Sequence, residues 1–202
     1  MKIPGSKGEH DLQNKFGTNS KAKNFYSNQM LSYLNPAMQE FISDQSMVFI
    51  ATSDSKGECD CSFRAGSPGF VKVLNKNSLA YPEYKGNGIW ASLGNIRENP
   101  HIGMIFIDFF QSTVGLHVNG KSKIIENDEL AEYEELSKEL KVDAQIKRSR
   151  KPERWVLIEV EEAYIHCSKH IPLLQQLDKE IHWGTDNESF KGGDFFKVKN
   201  PE

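Results

Sequence analysis

Lysine, glycine, amide and aromatic residues cluster between Tyr81 and Asn95 in an order that suits an anion site. Lys85 and Asn87 lie in a glycine-bearing loop, and a helix is expected to begin directly after it, at Trp90. Glycines let the backbone approach a ligand closely, and a helix N-terminus carries free N–H groups and partial positive charge. The same pattern is also typical of an ordinary surface turn, and the residues alone leave both interpretations open.

A second cation, Arg64, precedes this loop at the end of an expected strand. A guanidinium group can donate two parallel hydrogen bonds to phosphate oxygens, so Arg64 is a candidate phosphate ligand. The alternative interpretation is a surface arginine without a special role. His117, His166 and His170 are candidate acid or base groups, but the sequence offers them no clear nucleophile or paired acid.

The three cysteines do not form a recognisable metal or disulfide pattern. Cys59 and Cys61 are separated by one residue, so on a strand both sulfurs would point to the same face, unlike the turn geometry of zinc motifs. No metal site is therefore predicted. An odd, small number of cysteines also fits a reducing cytosol better than a secreted disulfide framework.

Composition narrows the class of protein further. The chain has 202 residues, a net charge of -3 and 38% hydrophobic residues, which favours one domain with one core. The charge balance argues against non-specific nucleic-acid binding. No stretch reaches the ~20 apolar residues of a transmembrane helix, and Met1–Ser20 lacks the apolar run of a signal peptide. We therefore expect a cytoplasmic protein that is bound to neither membrane nor nucleic acid.

Hydrophobic periodicity and turn signals predict a β-rich domain at 23–182, between an N-terminal arm at 1–22 and a C-terminal tail at 183–202. The arm is expected to be mobile or to wrap irregularly on the surface. The number of short strands favours an antiparallel barrel with peripheral helices. Strands are predicted at 47–52, 58–64, 70–74, 78–81, 101–110, 113–125 and 154–166, and helices at 35–45, 90–97, 127–141 and 171–181.

Several short motifs occur in a fixed order between about residues 35 and 170, and it is their order that is specific. By these motifs the chain resembles the pyridoxamine 5′-phosphate oxidase-like, FMN-binding split-barrel proteins, and in particular their predicted flavin-nucleotide-binding branch. The motifs are Asp60-Cys61-Ser62-Phe63-Arg64, Pro68-Gly69-Phe70-Val71-Lys72, Leu79-Ala80-Tyr81-Pro82, Lys85-Gly86-Asn87, Ser92-Leu93-Gly94-Asn95, Glu98-Asn99-Pro100-His101, Leu116-His117-Val118-Asn119 and His166-Cys167-Ser168-Lys169.

The resemblance implies a mainly β fold, an antiparallel split β-barrel, that pairs into a homodimer with FMN in grooves at the interface. It assigns the phosphate to Lys85, Asn87 and Ser92, with Arg64 as a second cation. Candidate neighbours of the flavin ring are Phe70, Val71, Lys72, Tyr81, Pro82 and Asn95, and candidate contacts from the second subunit are His117, Asn119 and Lys169.

The chain also departs from the family pattern, mainly on the substrate side. Family members often have Ser-Pro-Arg-Gly where this chain has Ser62-Phe63-Arg64-Ala65, and an Arg-Ser and a Trp where it has His170-Ile171-Pro172. The Arg-x-His motif of true pyridoxamine phosphate oxidases is not evident, so vitamin B6 synthesis is not predicted. Two hypotheses follow. One is an FMN-dependent oxidoreductase of unknown substrate, with NADH, NADPH or another small molecule as reductant. The other is a non-catalytic flavin-binding or sensing module. A haem-binding split barrel is a third hypothesis, against which the loop Lys85-Gly86-Asn87 argues because it suits a phosphate.

Overall fold

The computed structural model describes residues 3–129, 152–182, 184–185 and 187–199. Within these residues, eight strands form one antiparallel sheet in the order β3-β2-β6-β7-β8-β5-β4, with β1 paired to β8. The predicted mainly β fold, an antiparallel split β-barrel, is confirmed. The strands are β1 (Met30–Leu31), β2 (Met47–Ser53), β3 (Cys59–Ala65), β4 (Lys72–Asn75), β5 (Ser78–Glu83), β6 (His101–Ile107), β7 (Gly115–Ile125) and β8 (Arg154–His166).

Strict alternation of buried and outward residues explains the strands at the centre of the sheet. In β2, Val48 and Ile50 are buried, and Met104 and Phe106 in β6 are buried in the same way. Fully burying such a side chain stabilises the fold by about 1.5–3 kcal/mol. The inward residues of β2, β6, β7 and β8 form one continuous core, while the intervening residues form the outer face of the sheet.

Four α-helices lie within the described residues, namely α1 (Lys7–Phe16), α2 (Asn19–Gln29), α3 (Pro36–Asp44) and α4 (Ala91–Glu98). The prediction of a helix after Asn35 is confirmed, because the Asn35 side chain accepts a hydrogen bond from the backbone N–H of Met38 and Pro36 occupies the first turn. α4 begins within one residue of its predicted start at Trp90.

The prediction of an irregular N-terminal arm is wrong, since α1 and α2 occupy most of it. Neither helix has a buried residue, so the core-facing periodicity that reveals most helices is missing. α1 is instead defined by its ends. Ser6 and Glu9 form a reciprocal capping box, and Gly17 ends the helix in the left-handed conformation with a φ of 67°. The boundaries at residues 22 and 182 stay predictions.

The helix predicted at 171–181 is also absent. A short 3-10 turn, Ser168–His170, is followed by chain without helix or strand through residue 182. One anchor of this segment is the backbone N–H of Leu174, which donates to the carbonyl of Phe109 at 2.7 Å. Leu173 and Leu177 are exposed, so this segment has no buried face of the kind that stabilises a surface helix. Most of the helix predicted at 127–141 falls on residues 130–151, outside the described residues.

A β-bulge interrupts the pairing of β7 with β8. Asn119 pairs with Glu162, but the next residue, Gly120, pairs with Val160, so Glu161 is an extra residue in β8. A Cβ atom at Gly120 would collide with the carbonyl oxygen of Glu159, which explains the glycine. A glycine inside a strand is typical of a bulge or of a close backbone approach, and Gly120 lies at both.

Candidate functional site

A cleft of about 1200 Å³ opens beside the ends of β3 and β5. One wall is formed by β3 and by the loop that leads from Glu83 to the first turn of α4. Part of the remaining lining comes from the C-terminal segment, namely Gln176, Lys179, Glu180, Ile181, His182, Gly184 and Phe190. The cleft thus joins three parts of the chain that are far apart in sequence.

Four polar side chains on the first wall form a hydrogen-bonded group, which we call the cleft network: Asp60, Ser62, Arg64 and Ser92. The hydroxyl of Ser92 donates to Asp60 Oδ2 at 3.0 Å and lies 3.2 Å from the hydroxyl of Ser62. Ser62 also donates to Asp60 Oδ2 at 2.9 Å. Asp60, Ser62 and Arg64 share one face of β3 because side chains on a strand alternate. Ser92 reaches them from the first turn of α4 and is buried.

Arg64 is held by a carboxylate that the sequence-based reasoning did not single out. Its Nε and Nη2 donate to Glu83 Oε1 at 3.0 and 2.9 Å, and Nη2 lies 3.5 Å from Ser92 Oγ. Burial raises the pKa of Glu83, and the nearby Arg64 guanidinium opposes that rise. Arg64 Nη1 donates to the carbonyl of Phe63, so the guanidinium is fixed in place with 22% of the side chain exposed.

The loop after β5 brings Lys85 and Asn87 to the mouth of the cleft, where both are exposed. The side-chain oxygen of Asn87, Oδ1, accepts a hydrogen bond from the backbone N–H of Ile89 and so shapes the turn. Trp90 follows with a φ of 60°, a left-handed conformation that is strained for a bulky residue. The guanidinium of Arg154 packs on its indole at 4.7 Å. These contacts position the first turn of α4 beside the cleft network.

The structure therefore brings together four of the predicted phosphate residues: Arg64, Lys85, Asn87 and Ser92 all line the cleft. The residues assigned to the flavin ring do not line it. Phe70, Val71, Tyr81 and Pro82 are buried, Lys72 is half-buried at the start of β4, and Asn95 donates to the Thr52 hydroxyl at 3.1 Å.

The hydroxyl of Tyr81 lies in the protein interior next to the cleft. The residue is fully buried, and its hydroxyl has no hydrogen-bond partner among the described residues. Burial raises the pKa of Tyr81, with the negative charge of Glu83 adding to that effect and Arg64 opposing it. The hydroxyl therefore stays protonated and is a buried donor in the electrostatic range of the Arg64–Glu83 pair.

A second polar group lies on the outer face of β7 and β8, away from the cleft lining. His117 Nε2 and His166 Nδ1 are 2.9 Å apart, a hydrogen bond in which one ring donates and the other accepts. The His117 ring stacks on Tyr164 with centroids 4.7 Å apart. Burial lowers the pKa of His117, and the charge of His166 adds to the effect. Asn119 donates to Glu162 at 3.4 Å on the same face. Lys169 is exposed in the turn after β8.

Sequence reasoning missed Asp60, Ser62 and Glu83 as part of the site. Asp60 and Ser62 carried a usable signal, since residues two apart on a strand share the face of Arg64. Glu83 carried none, because its partner lies 19 residues away on another strand. The C-terminal part of the cleft lining could not be predicted either, because neither local pattern nor spacing shows where a segment without helix or strand packs.

The comparison with known families decides the relationship. The profile of the pyridoxamine 5′-phosphate oxidase family matches residues 34–167, which is more than half of the chain. The chain belongs to the pyridoxamine 5′-phosphate oxidase family. The resemblance seen in the ordered motifs is thereby confirmed, whereas no curated protein sequence matches the chain.

Solved structures give a more distant likeness. HupZ from Group A Streptococcus is 19% identical, with 65% of this chain and 93% of that chain covered and a TM-score of 0.47. An FMN-binding protein from Syntrophomonas wolfei is 9% identical, with 78% and 96% covered and a TM-score of 0.44. HutZ, a haem storage protein from Vibrio cholerae, is 14% identical, with 65% and 94% covered and a TM-score of 0.41. Such distant matches carry no argument about the ligand of this chain.

The described residues contain neither a membrane-crossing helix nor a cluster of metal ligands. In residues 3–129 and 152–199, apart from the few undescribed positions, no helix is long and apolar enough to cross a membrane. Over the same part of the chain, no group of three or more His, Cys, Asp or Glu side chains gathers in a way that could hold a metal ion. Cys59, Cys61 and Cys167 are free and exposed.

Proposed function

We propose that this family member binds FMN non-covalently and holds the FMN phosphate at the cleft network. The observation that carries the proposal is the convergence of Arg64, Lys85, Asn87 and Ser92 on one cleft from separate elements. Guanidinium, ammonium, hydroxyl and amide donors beside the first turn of a helix match the oxygens of a phosphate monoester. Membership of the family favours the same ligand.

The donor set also limits how the phosphate is held. Glu83 already accepts two hydrogen bonds from Arg64, so Arg64 supplies charge and its remaining donors, and Lys85 adds a second positive charge. Asp60 accepts hydrogen bonds from Ser62 and Ser92, which lessen its repulsion of an anion without cancelling it. Ser92 has one proton, so it must turn that proton away from Asp60 to donate to the phosphate. Phe70, Val71, Lys72, Tyr81, Pro82 and Asn95 remain the proposed neighbours of the flavin ring, although their side chains do not line the cleft.

We also propose that the functional unit is a homodimer, in which His117, Asn119 and Lys169 contact the flavin of the other subunit. The outer face of the sheet supports this. Phe63, Phe49, Ile105, His117 and Tyr164 lie directly opposite one another on neighbouring strands, and we call this line of residues the aromatic row. α2 covers its Tyr164 end through Phe25, while Phe63 at the other end is 52% exposed. An exposed apolar patch of this kind is typical of a protein interface.

The proposed activity is that of an oxidoreductase with a small-molecule substrate. When bound, FMN supplies hydride or electron transfer, and the protein binds it, orients it and excludes competing reactions. NADH or NADPH is the proposed reductant. Three free cysteines fit the reducing cytosol in which such a protein would work.

A non-catalytic flavin-binding or sensing module is the second candidate. It is favoured by the sequence after Arg154, which contains no further arginine and hence no Arg-x-His substrate motif. The two candidates differ in turnover. Reduction of bound flavin by NADH or NADPH, followed by reoxidation with a panel of acceptors, is expected for the oxidoreductase and not for the module.

The decisive experiment is an absorbance spectrum of the purified protein before and after FMN is added, followed by identification of what is released on denaturation. We expect a flavin band near about 450 nm, because an oxidised flavin absorbs there, and release of intact FMN. A protein that stays colourless in excess FMN would overturn the proposal. Release of haem would overturn the proposal in favour of the third hypothesis, a haem-binding split barrel.

A further inference from the structure

The loop after β5, residues 84–90, carries the lysine and the amide of the proposed phosphate site, and both of its ends lie next to Arg154. Glu83, the residue before the loop, is directly opposite Arg154 in the pairing of β5 with β8. Trp90, the last residue of the loop, lies under the Arg154 guanidinium, 4.7 Å from the centre of its ring. Arg154 therefore adjoins both ends of the loop, although it is not part of the cleft lining.

The backbone conformation of Trp90 needs support from its surroundings. Its φ of 60° and ψ of 26° lie in the left-handed region, which is strained for a bulky side chain and unstrained for glycine. Such a residue persists only where the structure around it holds it in place. The packing of the Arg154 guanidinium on the indole ties this side chain to the sheet, because Arg154 is the first residue of β8.

The Arg154 side chain is itself held by packing and by charge. It is 30% exposed, and its Nε lies 4.0 Å from Glu126 Oε1, which is too far for a hydrogen bond. Within the described part of the chain, this buried Nε has no hydrogen-bond partner. Burial raises the pKa of Glu83, and the charges of Arg64 and, less strongly, of Arg154 oppose that rise. Arg154 thus lies between two carboxylates with its guanidinium on Trp90.

The conformation of Trp90 determines where α4 begins. Trp90 is the N-cap residue, and its carbonyl accepts the first hydrogen bond of the helix from the backbone N–H of Gly94 at 2.7 Å. The next three residues, Ala91, Ser92 and Leu93, all line the cleft. N–H groups at these positions of a helix have no partner within the helix. The dihedral angles of Trp90 therefore set whether these free donors face the cleft.

We propose that Arg154 is a positioning residue that acts through Trp90 and makes the cleft select a phosphate monoester, so that the chain binds FMN in preference to riboflavin. Arg154 holds Trp90 in the left-handed conformation, and the first turn of α4 then directs its N–H groups at the phosphate. This inference rests on the proposed FMN site and names a specificity determinant of that site. Riboflavin has the same ring and ribityl chain without the phosphate, so only the affinity for FMN should depend on Arg154.

The test compares the affinities for FMN and for riboflavin, measured by fluorescence quenching, in wild type, Arg154→Gln and Arg97→Gln. The control residue Arg97 is exposed in the last turn of the same helix and does not line the cleft. We expect Arg154→Gln to bind FMN about tenfold more weakly and riboflavin within about twofold of wild type, because a helix N-terminus contributes on this order to the binding of an anion. Arg97→Gln should match wild type for both ligands.

A second set of variants separates positioning from a direct effect of the Arg154 charge on the phosphate. Trp90→Gly can adopt the left-handed conformation without help from Arg154. Adding Arg154→Gln to Trp90→Gly should therefore cause no further loss of FMN affinity, whereas a direct charge effect would weaken binding again by about tenfold. This comparison uses FMN alone, so it decides the question even where riboflavin binds too weakly to be measured.

Three results would overturn the positioning role and leave the FMN site in place. They are an unchanged FMN affinity in Arg154→Gln, an equal loss for FMN and riboflavin, and a further loss of similar size when Arg154→Gln is added to Trp90→Gly. Failure of the wild-type protein to bind FMN would remove the FMN site together with this inference.

Discussion

The cleft network and the His117–His166 pair are the two polar clusters that matter most in this chain, and they are built in opposite ways. The cleft network combines a strand, a loop and a helix start, and its buried charge is balanced within one chain by Arg64 and Glu83. The histidine pair arises from two adjacent strands and lies on the aromatic row, whose far end is exposed. The first cluster is complete in a single subunit, whereas the second lies on the surface that we propose to be the dimer interface.

The largest effect that would break this comparison is expected at the exposed end of the aromatic row. Phe63→Asp places a charge in the proposed apolar interface, where it has no partner and must lose its water. We expect the dimer to dissociate about 1,000-fold more readily, which corresponds to about 4 kcal/mol. Analytical ultracentrifugation measures this.

The control for the interface is Leu12→Asp on α1, at a side chain that is 54% exposed and outside the aromatic row. It should leave the dimer intact. A Phe63→Asp protein that dimerises as well as the wild type would show that the outer face is not the interface.

At the cleft network, Arg64→Ala/Lys85→Ala should weaken FMN binding on the order of 100-fold. Hydrogen bonds to charged groups contribute about 1.5–3 kcal/mol each, and the lower end applies because Arg64 is shared with Glu83. Fluorescence quenching of added FMN gives the affinity. Lys56→Ala and Lys72→Ala are the comparison variants, because neither lysine lines the cleft. Of the two, Lys72 alone is a proposed neighbour of the flavin ring. Wild-type affinity in the double variant would remove both residues from the phosphate site.

Glu83→Ala separates folding from binding at the same cluster. Removing the carboxylate leaves the Arg64 guanidinium without its main partner, and we expect the free energy of unfolding to fall by about 2 kcal/mol. FMN affinity should be unchanged or higher, because Arg64 can then turn more donors to the phosphate. Urea denaturation and FMN titration of the same preparation check the two expectations, with Glu58→Ala as an exposed control. Loss of FMN binding without loss of stability would mean that Glu83 itself contacts the ligand.

The smallest effect concerns pH and the histidine pair. Burial lowers the pKa of His117, so below its ordinary pKa of about 6.5 the unfolded chain takes up a proton more readily than the folded protein. Its contribution is therefore fully present above about pH 6.5 and is lost as the pH falls below that value. We expect less than about 1 kcal/mol, because water screens a half-buried ring.

His117→Phe keeps the stacking on Tyr164 and should flatten the pH dependence of urea denaturation between about pH 7 and 5. His101→Gln, at an exposed ring, should not. An unchanged slope in His117→Phe would show that protonation of His117 is not coupled to folding.

Most of the sheet could be predicted from the sequence because burial on one face imposes alternation. The predicted bounds of β8 agree with the structure, and Val156, Ile158 and Val160 point into the core as expected. The errors fall where burial gives no signal. α1 is outlined only by its capping box and its terminal glycine, and the leucines after Pro172 repeat at helical spacing but pack on nothing that would hold a helix.

The candidate site could be predicted only where its parts are local. One loop and the helix start after it contain Lys85, Asn87 and Ser92, so local spacing is enough to predict an anion site there. The Arg64–Glu83 pair and the C-terminal part of the cleft lining depend on packing between distant segments. Such contacts follow from the whole fold and not from any window of sequence.

The extra residue in β8 decides on which side of the sheet the second half of that strand presents its side chains. Before Glu161 the even-numbered residues Ile158 and Val160 face the core, whereas after it Ala163 is buried and Tyr164 and His166 point outward. If β8 instead alternated through Glu161 without a bulge, Tyr164 and His166 would face the interior of the barrel. The single extra residue therefore determines which side chains the end of β8 presents on the outer face of the sheet.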